Sequence, residues 1–323
     1  MRIWTVFLIV LLSTSGMVSQ NGPVGGLDYT KSDKTQLSLD VAVFDPHGRA
    51  VTNLNRSDFD VLEDGIPQKI SSFTSADTPY NILLLLDCRA ETRQRLNLLT
   101  EAVTRFSNQL RPGDRMEIAV FGSEVQVVLD WNSGRSGGIK ISDNPICKKS
   151  DLYGAMDWSA KEVHKVSGRR SVVVFSNGYQ TEIRREEMPL NGTNVQRIVP
   201  AEKDTEFQQI LKVIREAGAP FYFIALDTDI NPASHDANPV QDLQQQRARV
   251  EQLAEVSTAR TVYPRESSEI VPLFLQIGRE LGASYSLAFI PQHSRDGNYH
   301  TVDVQVRNQN YIVALARQGY TAN

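Results

Sequence analysis

The segment Asn81-Ile-Leu-Leu-Leu-Leu-Asp-Cys-Arg-Ala-Glu91 organises the rest of the chain. Its five consecutive apolar residues do not alternate with polar ones, which is typical of a strand buried on both faces. Asp87 follows where this strand ends, and ligands of open α/β sheets bind just outside the carboxyl ends of the strands. Apolar residues then recur at helical spacing, which predicts an amphipathic helix at residues 91–110. The segment thus predicts a buried strand, an acidic turn and a helix.

The composition is ordinary for a globular protein that is large enough for two domains. The chain has 323 residues, of which 41% are hydrophobic and 22% are charged, so a sizeable core is expected. The net charge of -4 gives no support for binding to nucleic acid or to an anionic membrane. The five histidines are scattered without ligand spacing, so no zinc cluster of that kind is predicted.

The chain begins with the layout of a secretory signal peptide. Arg2 supplies a positive charge, the stretch Ile3–Leu12 is almost entirely apolar, and small and polar residues follow. The apolar stretch is shorter than the roughly 20 residues that a membrane-spanning helix needs. We therefore predict cleavage after Gly16 or Ser19, no membrane span after cleavage, and an exported protein that is periplasmic, cell-surface or secreted. An uncleaved anchor is the alternative.

Both ends of the mature chain predict β-structure. The strands are predicted at residues 37–44, 59–65 and 68–73 on one side, and at residues 285–290, 301–306 and 311–316 on the other. An Asp64-Gly65 turn closes the second strand, which makes residues 68–73 its predicted hairpin partner. Neither end makes a full core by itself, so we expect the two ends to pack into one β-domain.

Strands alternate with helices in the middle of the chain. Strands are predicted at residues 82–86, 116–121, 125–129, 171–175, 220–226 and 261–263, and helices at residues 91–110, 152–166, 207–216, 240–256 and 270–281. This alternation predicts a parallel sheet with helices on both faces.

Taken in this order, the segments resemble a von Willebrand factor type A (VWA) domain and, more narrowly, the exported bacterial proteins called VWFA-related. The narrower resemblance rests on the stretches Ser57–Asp60, Glu63–Phe73, Tyr285–Pro291 and Arg317–Tyr320. It implies an α/β fold with a doubly wound, mainly parallel, Rossmann-like sheet and a small β-domain built from the N- and C-terminal segments.

The resemblance also divides the chain. The expected division is a signal peptide at 1–19, a linker at 20–34, an N-terminal β segment at 35–76, a VWA domain at 78–282, and a C-terminal β segment at 283–323 that packs with 35–76.

The resemblance implies a metal-ion-dependent adhesion site on the upper rim of the sheet. In the family, an Asp-x-Ser-x-Ser turn follows the first strand, and a Thr from a second loop and an Asp from a third complete the site. The first turn aligns here as Asp87, Arg89 and Glu91. The second position falls at Ser150, and the third falls at Asn177.

Arg89 is the most serious departure from the family pattern. It replaces a hydroxyl that would coordinate the ion, and a guanidinium has no acceptor atom. Mg²⁺ takes compact oxygen ligands in near-octahedral geometry, so Arg89 would more naturally neutralise a neighbouring carboxylate. We therefore predict a degenerate, metal-free rim and no cofactor. In the alternative, Asp87 and Ser150 hold Mg²⁺, Mn²⁺ or Ca²⁺ with Glu91 or Asp151 as a substitute ligand.

The same resemblance also leads to an expectation about the two cysteines, Cys88 and Cys147. Cys88 lies in the first rim loop and Cys147 lies three residues before Ser150 in the second, and these loops are neighbours in the family fold. A Cys88–Cys147 disulfide could therefore hold the loops together where the ion otherwise would, in keeping with an oxidising compartment. A pair of free thiols is the competing interpretation.

Three classes of function remain open. The first is an exported, non-enzymatic adhesion or scaffold module that binds a protein partner through the rim loops, which we define as residues 87–91, 132–150, 177–196 and 227–239. The second is a metal-dependent binder of the same kind. The third is an enzyme of unknown class; the chain carries no nucleophile elbow, no His-Glu-x-x-His and no phosphate loop, so no catalytic residue is assigned.

Overall fold

A computed structural model of the chain describes residues 36–88, 96–132, 149–190, 192–226, 239–292, 296–315 and 318–322. Its strands are β1 (Leu37–Phe44), β2 (Phe59–Glu63), β3 (Ile66–Gln68), β4 (Ile70–Thr74), β5 (Tyr80–Asp87), β6 (Arg115–Phe121), β7 (Val125–Asn132), β8 (Arg169–Ser176), β9 (Arg185–Leu190), β10 (Thr193–Ile198), β11 (Phe221–Ala225), β12 (Thr261–Val262), β13 (Ser284–Phe289), β14 (Tyr299–Val306), β15 (Ile312–Leu315) and β16 (Gly319–Thr321). Its helices are α1 (Leu96–Ser107), α2 (Leu152–Val163), α3 (Thr205–Ala217), α4 (Pro239–Val256) and α5 (Ile270–Ala283).

A six-stranded sheet with the order β12-β11-β8-β5-β6-β7 lies at the centre of the α/β part. Neighbouring strands run parallel, except for β7, which is antiparallel at one edge. Strand β5 lies between β6 and β8, and all eight of its residues are buried. The apolar run that begins at Ile82 is therefore a central strand buried on both faces, as its lack of alternation predicts.

Helices cover both faces of this sheet. On β5, Leu84 and Leu86 face a core that includes α1 and α5, whereas Leu83 and Leu85 face a core that includes α2, α3 and α4. The alternation of side chains along the strand explains the split, because successive residues point to opposite faces. The prediction of an α/β fold with a mainly parallel sheet is confirmed.

Two four-stranded antiparallel sheets form the β-domain, with the orders β15-β1-β13-β4 and β16-β14-β2-β3. Strand β1 pairs with β13, and β2 pairs with β14, so each sheet contains strands from both ends of the chain. Phe59, Tyr285 and Phe289 lie in the core that the two sheets share. The expected β-domain from both chain ends is confirmed, while the domain boundaries at 35–76, 78–282 and 283–323 stay a prediction.

Arg169 holds both connections between the β-domain and the α/β part. Its buried guanidinium donates hydrogen bonds to the carbonyl oxygens of Ala76 at 2.9 Å, Thr78 at 3.1 Å and Leu281 at 3.1 Å. Ala76 and Thr78 lie between β4 and β5, and Leu281 lies near the end of α5, which leads into β13. The β-domain is therefore attached at the amino ends of the central strands.

The predicted hairpin partner of residues 59–65, residues 68–73, is wrong except at Gln68, which pairs with Val61. The partner of β2 is the three-residue strand β3, because Asp64 and Gly65 both have positive φ and form a two-residue turn that pairs Glu63 with Ile66. The chain then crosses at Lys69 into the other sheet, where β4 pairs with β13. Residues 68–73 are thus divided between two sheets that share one core.

Two further segments differ from the prediction. The helix expected at residues 91–110 is described only as α1, which ends at Ser107, and residues 91–95 lie outside the described part. Residues 177–196, expected as a rim loop, include β9 and most of β10, which form a hairpin that pairs Arg185 with Ile198. The dipeptide Asn191-Gly192 is typical of such a turn and could have indicated the hairpin.

The predicted signal peptide at residues 1–19 and the linker at residues 20–34 lie outside the described residues. In the part of the chain that is described, no helix is both long and apolar enough to span a membrane.

Glu117 is a buried carboxyl group on β6. Burial is the largest cause, and together with the nearby acidic groups of Glu162 and Asp130 it raises the pKa of Glu117 to about 7. The charge of Lys165 opposes the shift but is weaker. Because the ordinary pKa of glutamate is far lower, Glu117 holds its proton in the folded chain at mildly acidic pH.

We expect Glu117→Gln to stabilise the protein above neutral pH. Between about pH 4.5 and pH 7 the unfolded chain loses this proton while the folded chain keeps it, so wild-type stability falls as pH rises through that interval. The variant lacks this loss, and its advantage in the free energy of unfolding should reach on the order of 1–3 kcal/mol at pH 8. Urea denaturation at pH 5 and pH 8 measures it. Glu124→Gln, at an exposed turn, is the control; equal pH profiles for wild type and E117Q would contradict the prediction.

Candidate functional site

The candidate site lies at the carboxyl ends of β5 and β8, which are neighbouring parallel strands. Asp87 is the last residue of β5, and Ser176 is the last residue of β8. From β5 the sheet continues to β6 on one side and to β8 on the other. Such a reversal in strand order opens a crevice at the carboxyl edge, where α/β proteins bind ligands. We call this edge, together with the rim loops, the rim.

Asp87 joins three segments of the rim. Its Oδ2 accepts a hydrogen bond from Ser176 Oγ at 2.7 Å and another from Ser150 Oγ at 3.2 Å. Ser150 immediately precedes the N-cap of α2. Asp87 and Ser176 are each only 1% exposed, and Ser150 is fully buried. The carboxylate therefore links the end of β5, the end of β8 and the start of α2 from within the protein.

The segment after β8 folds back onto the start of α2. The Ser150 amide donates to Thr181 Oγ1 at 2.8 Å, and the Thr181 amide donates to the Ser150 carbonyl at 2.9 Å. This reciprocal pair satisfies buried backbone groups that a loop would otherwise leave open. The position of Ser150 is thus set by its backbone as well as by Asp87.

Asp151 acts as a helix cap. Its Oδ1 accepts from the amide of Gly154 at 3.0 Å, which caps α2, and from Gln180 Nε2 at 3.1 Å. Gln180 in turn accepts from the Tyr153 amide at 3.1 Å. The carboxylate that could have served as a substitute metal ligand is therefore engaged in holding the N-terminus of α2.

The side chain of Asn177 closes a local turn. Its Oδ1 accepts a hydrogen bond from the Tyr179 amide at 3.1 Å, which forms an Asx turn. Ser176, the preceding residue, makes the contact with Asp87 instead and also accepts from the Gly178 amide at 3.0 Å. The third position of the family pattern therefore supplies a turn in this chain, and the adjacent serine supplies the hydroxyl.

Arg89, Glu91 and Cys147 lie outside the described residues. Cys88 is described: its side chain is buried, and its amide donates to the Phe121 carbonyl at 2.9 Å. The pairing of Cys88 with Cys147 stays a prediction.

Several oxygens of the candidate site are already engaged within the protein. Mg²⁺ requires several compact oxygen ligands in octahedral geometry, but the oxygens at hand already serve protein donors: Asp87 Oδ2, Asp151 Oδ1 and Asn177 Oδ1. Among the described residues no three His, Cys, Asp or Glu side chains are grouped so that they could hold an ion.

The sequence analysis did not single out Ser176, Thr181 or Gln180 as residues that contact the site. Ser176 ends the apolar strand β8 in the same way that Asp87 ends β5, so its position was a usable signal. Thr181 and Gln180 gave no comparable signal, because their contacts depend on how the chain folds back after β8.

Residues 82–180 match the family model described as von Willebrand factor type A domain. This chain contains a VWA domain. The matched range begins in β5 and ends at Gln180, so it includes Asp87, Ser150 and Asn177. The matched range therefore contains the candidate site, whereas rim residues 181–196 and 227–239 lie beyond it.

Several solved structures resemble the chain at low sequence identity. The von Willebrand factor type A protein from Catenulispora acidiphila is 7% identical in sequence, with a TM-score of 0.46. The match covers 90% of this chain and 74% of that protein. The pilus adhesin SpaC from Lactobacillus rhamnosus GG is 6% identical in sequence, with a TM-score of 0.47. The match covers 84% of this chain and 48% of the adhesin. Proximal thread matrix protein 1 from the mussel byssus is 10% identical in sequence, with a TM-score of 0.43. The match covers 64% of this chain and 49% of the mussel protein.

This chain thus spans about half the length of the pilus adhesin and of the mussel protein. No curated protein matches its sequence.

Proposed function

We propose that this chain is an exported, non-enzymatic adhesion or scaffold module, which binds a protein partner through the rim of its VWA domain without a divalent cation. The observation that carries this proposal is the burial of Asp87 beneath the rim, where two serine hydroxyls occupy one of its carboxylate oxygens.

Burial of Asp87 supports binding without a metal ion. A partner that completes the shell of an ion with its own acidic group must reach that ion from solvent. Asp87, Ser150 and Ser176 together expose almost no surface, so they offer such a partner no approach. In this proposal the three residues stabilise the rim, and recognition falls to exposed groups around them.

Ion pairs fix the exposed segments of the rim to the rest of the fold. Lys149 and Glu182 form an ion pair between two rim loops, and both side chains are mostly exposed. The hairpin of β9 and β10 follows directly and is tied to α4 by the Arg185–Asp242 ion pair at 2.8 Å. Loops and hairpins fixed to a rigid sheet are common recognition surfaces, which favours protein binding at this edge.

We expect Cys88 and Cys147 to form one disulfide that joins two rim loops. Export of the protein would place the pair in an oxidising compartment. Mass spectrometry of protein purified from its native compartment, before and after reduction and alkylation, measures the bond. The expected result is a peptide containing both cysteines that separates on reduction; two alkylated thiols without reduction would contradict it.

Site-directed crosslinking in the native host tests partner binding at the rim. A photo-crosslinking benzoylphenylalanine replaces Glu182 at the rim in one variant. In the control it replaces Glu216, which is exposed at the end of α3 near the amino edge of the sheet. We expect protein adducts from the Glu182 position only, in equal yield with and without EDTA. Adducts that vanish in EDTA would favour the metal-dependent alternative, and equal adducts from both positions would contradict binding at the rim.

Calorimetric titration of Mg²⁺, Mn²⁺ and Ca²⁺ tests the metal-free rim. The wild-type chain is expected to show neither saturable heat nor thermal stabilisation at millimolar ion. The triple variant Arg89→Ser, Glu91→Ser and Asn177→Asp restores the family's oxygen ligands, so it is expected to bind Mg²⁺ and serves as the positive control. Saturable binding by the wild type that Asp87→Asn abolishes would overturn this part of the proposal.

A further inference from the structure

A groove opens on the β-domain, away from the rim. It has a volume of about 660 Å³ and lies beside β2, β3 and β4. Phe59, Ile70 and Phe73 give it an apolar floor, and Phe59 and Phe73 are in ring contact at a centroid distance of 5.9 Å. Phe73 keeps part of its surface exposed, so an apolar side chain placed in the groove would find an apolar contact.

The charged residues that line the groove are both cations. Arg56 and Lys69 stand at its border, and among the described residues neither one has an ion pair or a side-chain hydrogen bond. Surface cations in this protein commonly pair with acids nearby, as in the Arg105–Glu101 and Lys161–Asp157 pairs. Two unpaired cations beside an apolar floor therefore create a local preference for an acidic group.

Two strand edges flank the groove. In the described part of the chain, β3 pairs only with β2, and β4 pairs only with β13, so each lies at the edge of its sheet. Lys69 is the single residue between them, which brings both edges to the same side of the domain. An edge strand presents backbone N–H and C=O groups that an extended chain can pair with.

We propose that this groove binds an extended, acidic peptide segment of a partner protein. The segment adds to the edge of β4 by backbone hydrogen bonds. It places an apolar side chain on Phe59 and Phe73 and a carboxylate near Arg56 and Lys69. This second interaction surface lies on the β-domain, at the opposite end of the chain's fold from the VWA rim, and it does not depend on the rim's function.

A peptide fits these features better than a polyanion does. Two cations line the groove among the residues that the structure describes, the chain as a whole has a net charge of -4, and the floor is apolar. Phosphate-rich polymers bind broad basic surfaces instead. A competing occupant is the chain's own segment before β1, because the side chain of Gln36 hydrogen-bonds Ser71 on β4.

Selection from a random heptapeptide display library tests the proposal on the full mature chain. The wild type is expected to enrich peptides in which aspartate or glutamate alternates with apolar residues. The comparison is the Arg56→Glu, Lys69→Glu double variant; because neither residue has a partner in the described part of the chain, its melting temperature should equal that of the wild type. Binding of the selected peptides is then measured by fluorescence polarisation. The double variant should bind them with an affinity at least about tenfold lower.

The charge-reversed variant provides a second readout, since its own selection is expected to enrich lysine and arginine in place of the acids. Three results would overturn the proposal. The first is no enrichment with the wild type, which would leave the groove to the chain's own residues. The second is the same peptides from both proteins. The third is enrichment of acidic residues without apolar ones, which would indicate a surface for polyanions.

Discussion

Arg249→Ala is expected to lower the free energy of unfolding by about 3–5 kcal/mol. Arg249 is 3% exposed, and its guanidinium donates to Asp204 Oδ2 at 2.7 Å, Tyr153 Oη at 2.6 Å and the Val199 carbonyl at 2.5 Å. Asp204 is fully buried and caps α3 by accepting from the Phe207 amide at 3.2 Å. Removing the arginine would leave a buried carboxylate without its partner, and this is the costly outcome for a buried ion pair.

Arg247→Ala provides the control for this variant, because Arg247 lies on the same helix, α4, but is partly exposed. It stands over the Tyr263 ring at 3.8 Å and pairs with Glu251 at 3.8 Å, contacts that are worth about 1 kcal/mol or less at the surface. Urea denaturation followed by circular dichroism gives both values. Equal losses in the two variants would show that the buried pair does not carry the stability assigned to it.

The partner substitution distinguishes the lost pair from lost packing. Asp204→Asn removes the buried charge, so in the Arg249→Ala background it is expected to recover part of the lost stability. If the loss came from the missing side-chain volume alone, adding Asp204→Asn would recover no stability, because asparagine caps a helix about as well as aspartate does.

Gly178→Ala is expected to cost about 2–4 kcal/mol, through two separate effects. Gly178 has a φ of +76°, a conformation that residues with a Cβ rarely adopt. A Cβ at this position would also lie 2.5 Å from Cγ2 of Val250, a buried residue of α4. Because Gly178 directly follows Ser176 and Asn177, the substitution should loosen the rim as well as the contact with α4.

Gly168→Ala isolates the backbone effect. Gly168 has a φ of +88°, but a Cβ added there would meet nothing within 4 Å, so only the cost of the left-handed conformation is expected, about 1–2 kcal/mol. The larger loss should therefore appear at Gly178. In the Gly178→Ala background, Val250→Ala should cost less than it does in the wild type, because it removes the clash. Equal losses at the two glycines would contradict the close approach.

Much of the fold could be predicted from local patterns. The errors arose where pairing with distant strands decides the structure. The apolar run before Asp87 predicted the central strand, because a strand buried on both faces has no polar alternation. The placement of residues 68–73 failed because it depends on where the two-residue turn at Asp64 ends the pairing with β2. It also depends on which sheet has room for the next strand. Neither condition is visible in the alternation itself.

The contacts of the candidate site were also predicted only in part. Asp87 and Ser150 were predicted as neighbours, and the structure brings them within hydrogen-bond distance. Asn177 was expected in the third position, but Ser176 makes the contact with Asp87. Side chains alternate along an extended chain, so a shift of one residue at the end of β8 decides which side chain faces the neighbouring strand.

The sequence by itself determined the alternation of strands and helices, the β-structure at both chain ends and the position of Asp87 at the end of a buried strand. These features follow from periodicities of two and 3.6 residues, which are local properties of the chain. Only the tertiary structure decided that Asp87 is buried, that Ser176 holds it, and that Asp151 caps α2. The hydroxyls that meet Asp87 come from positions 63 and 89 residues away along the chain. Contacts over such separations form only when the whole sheet closes around them.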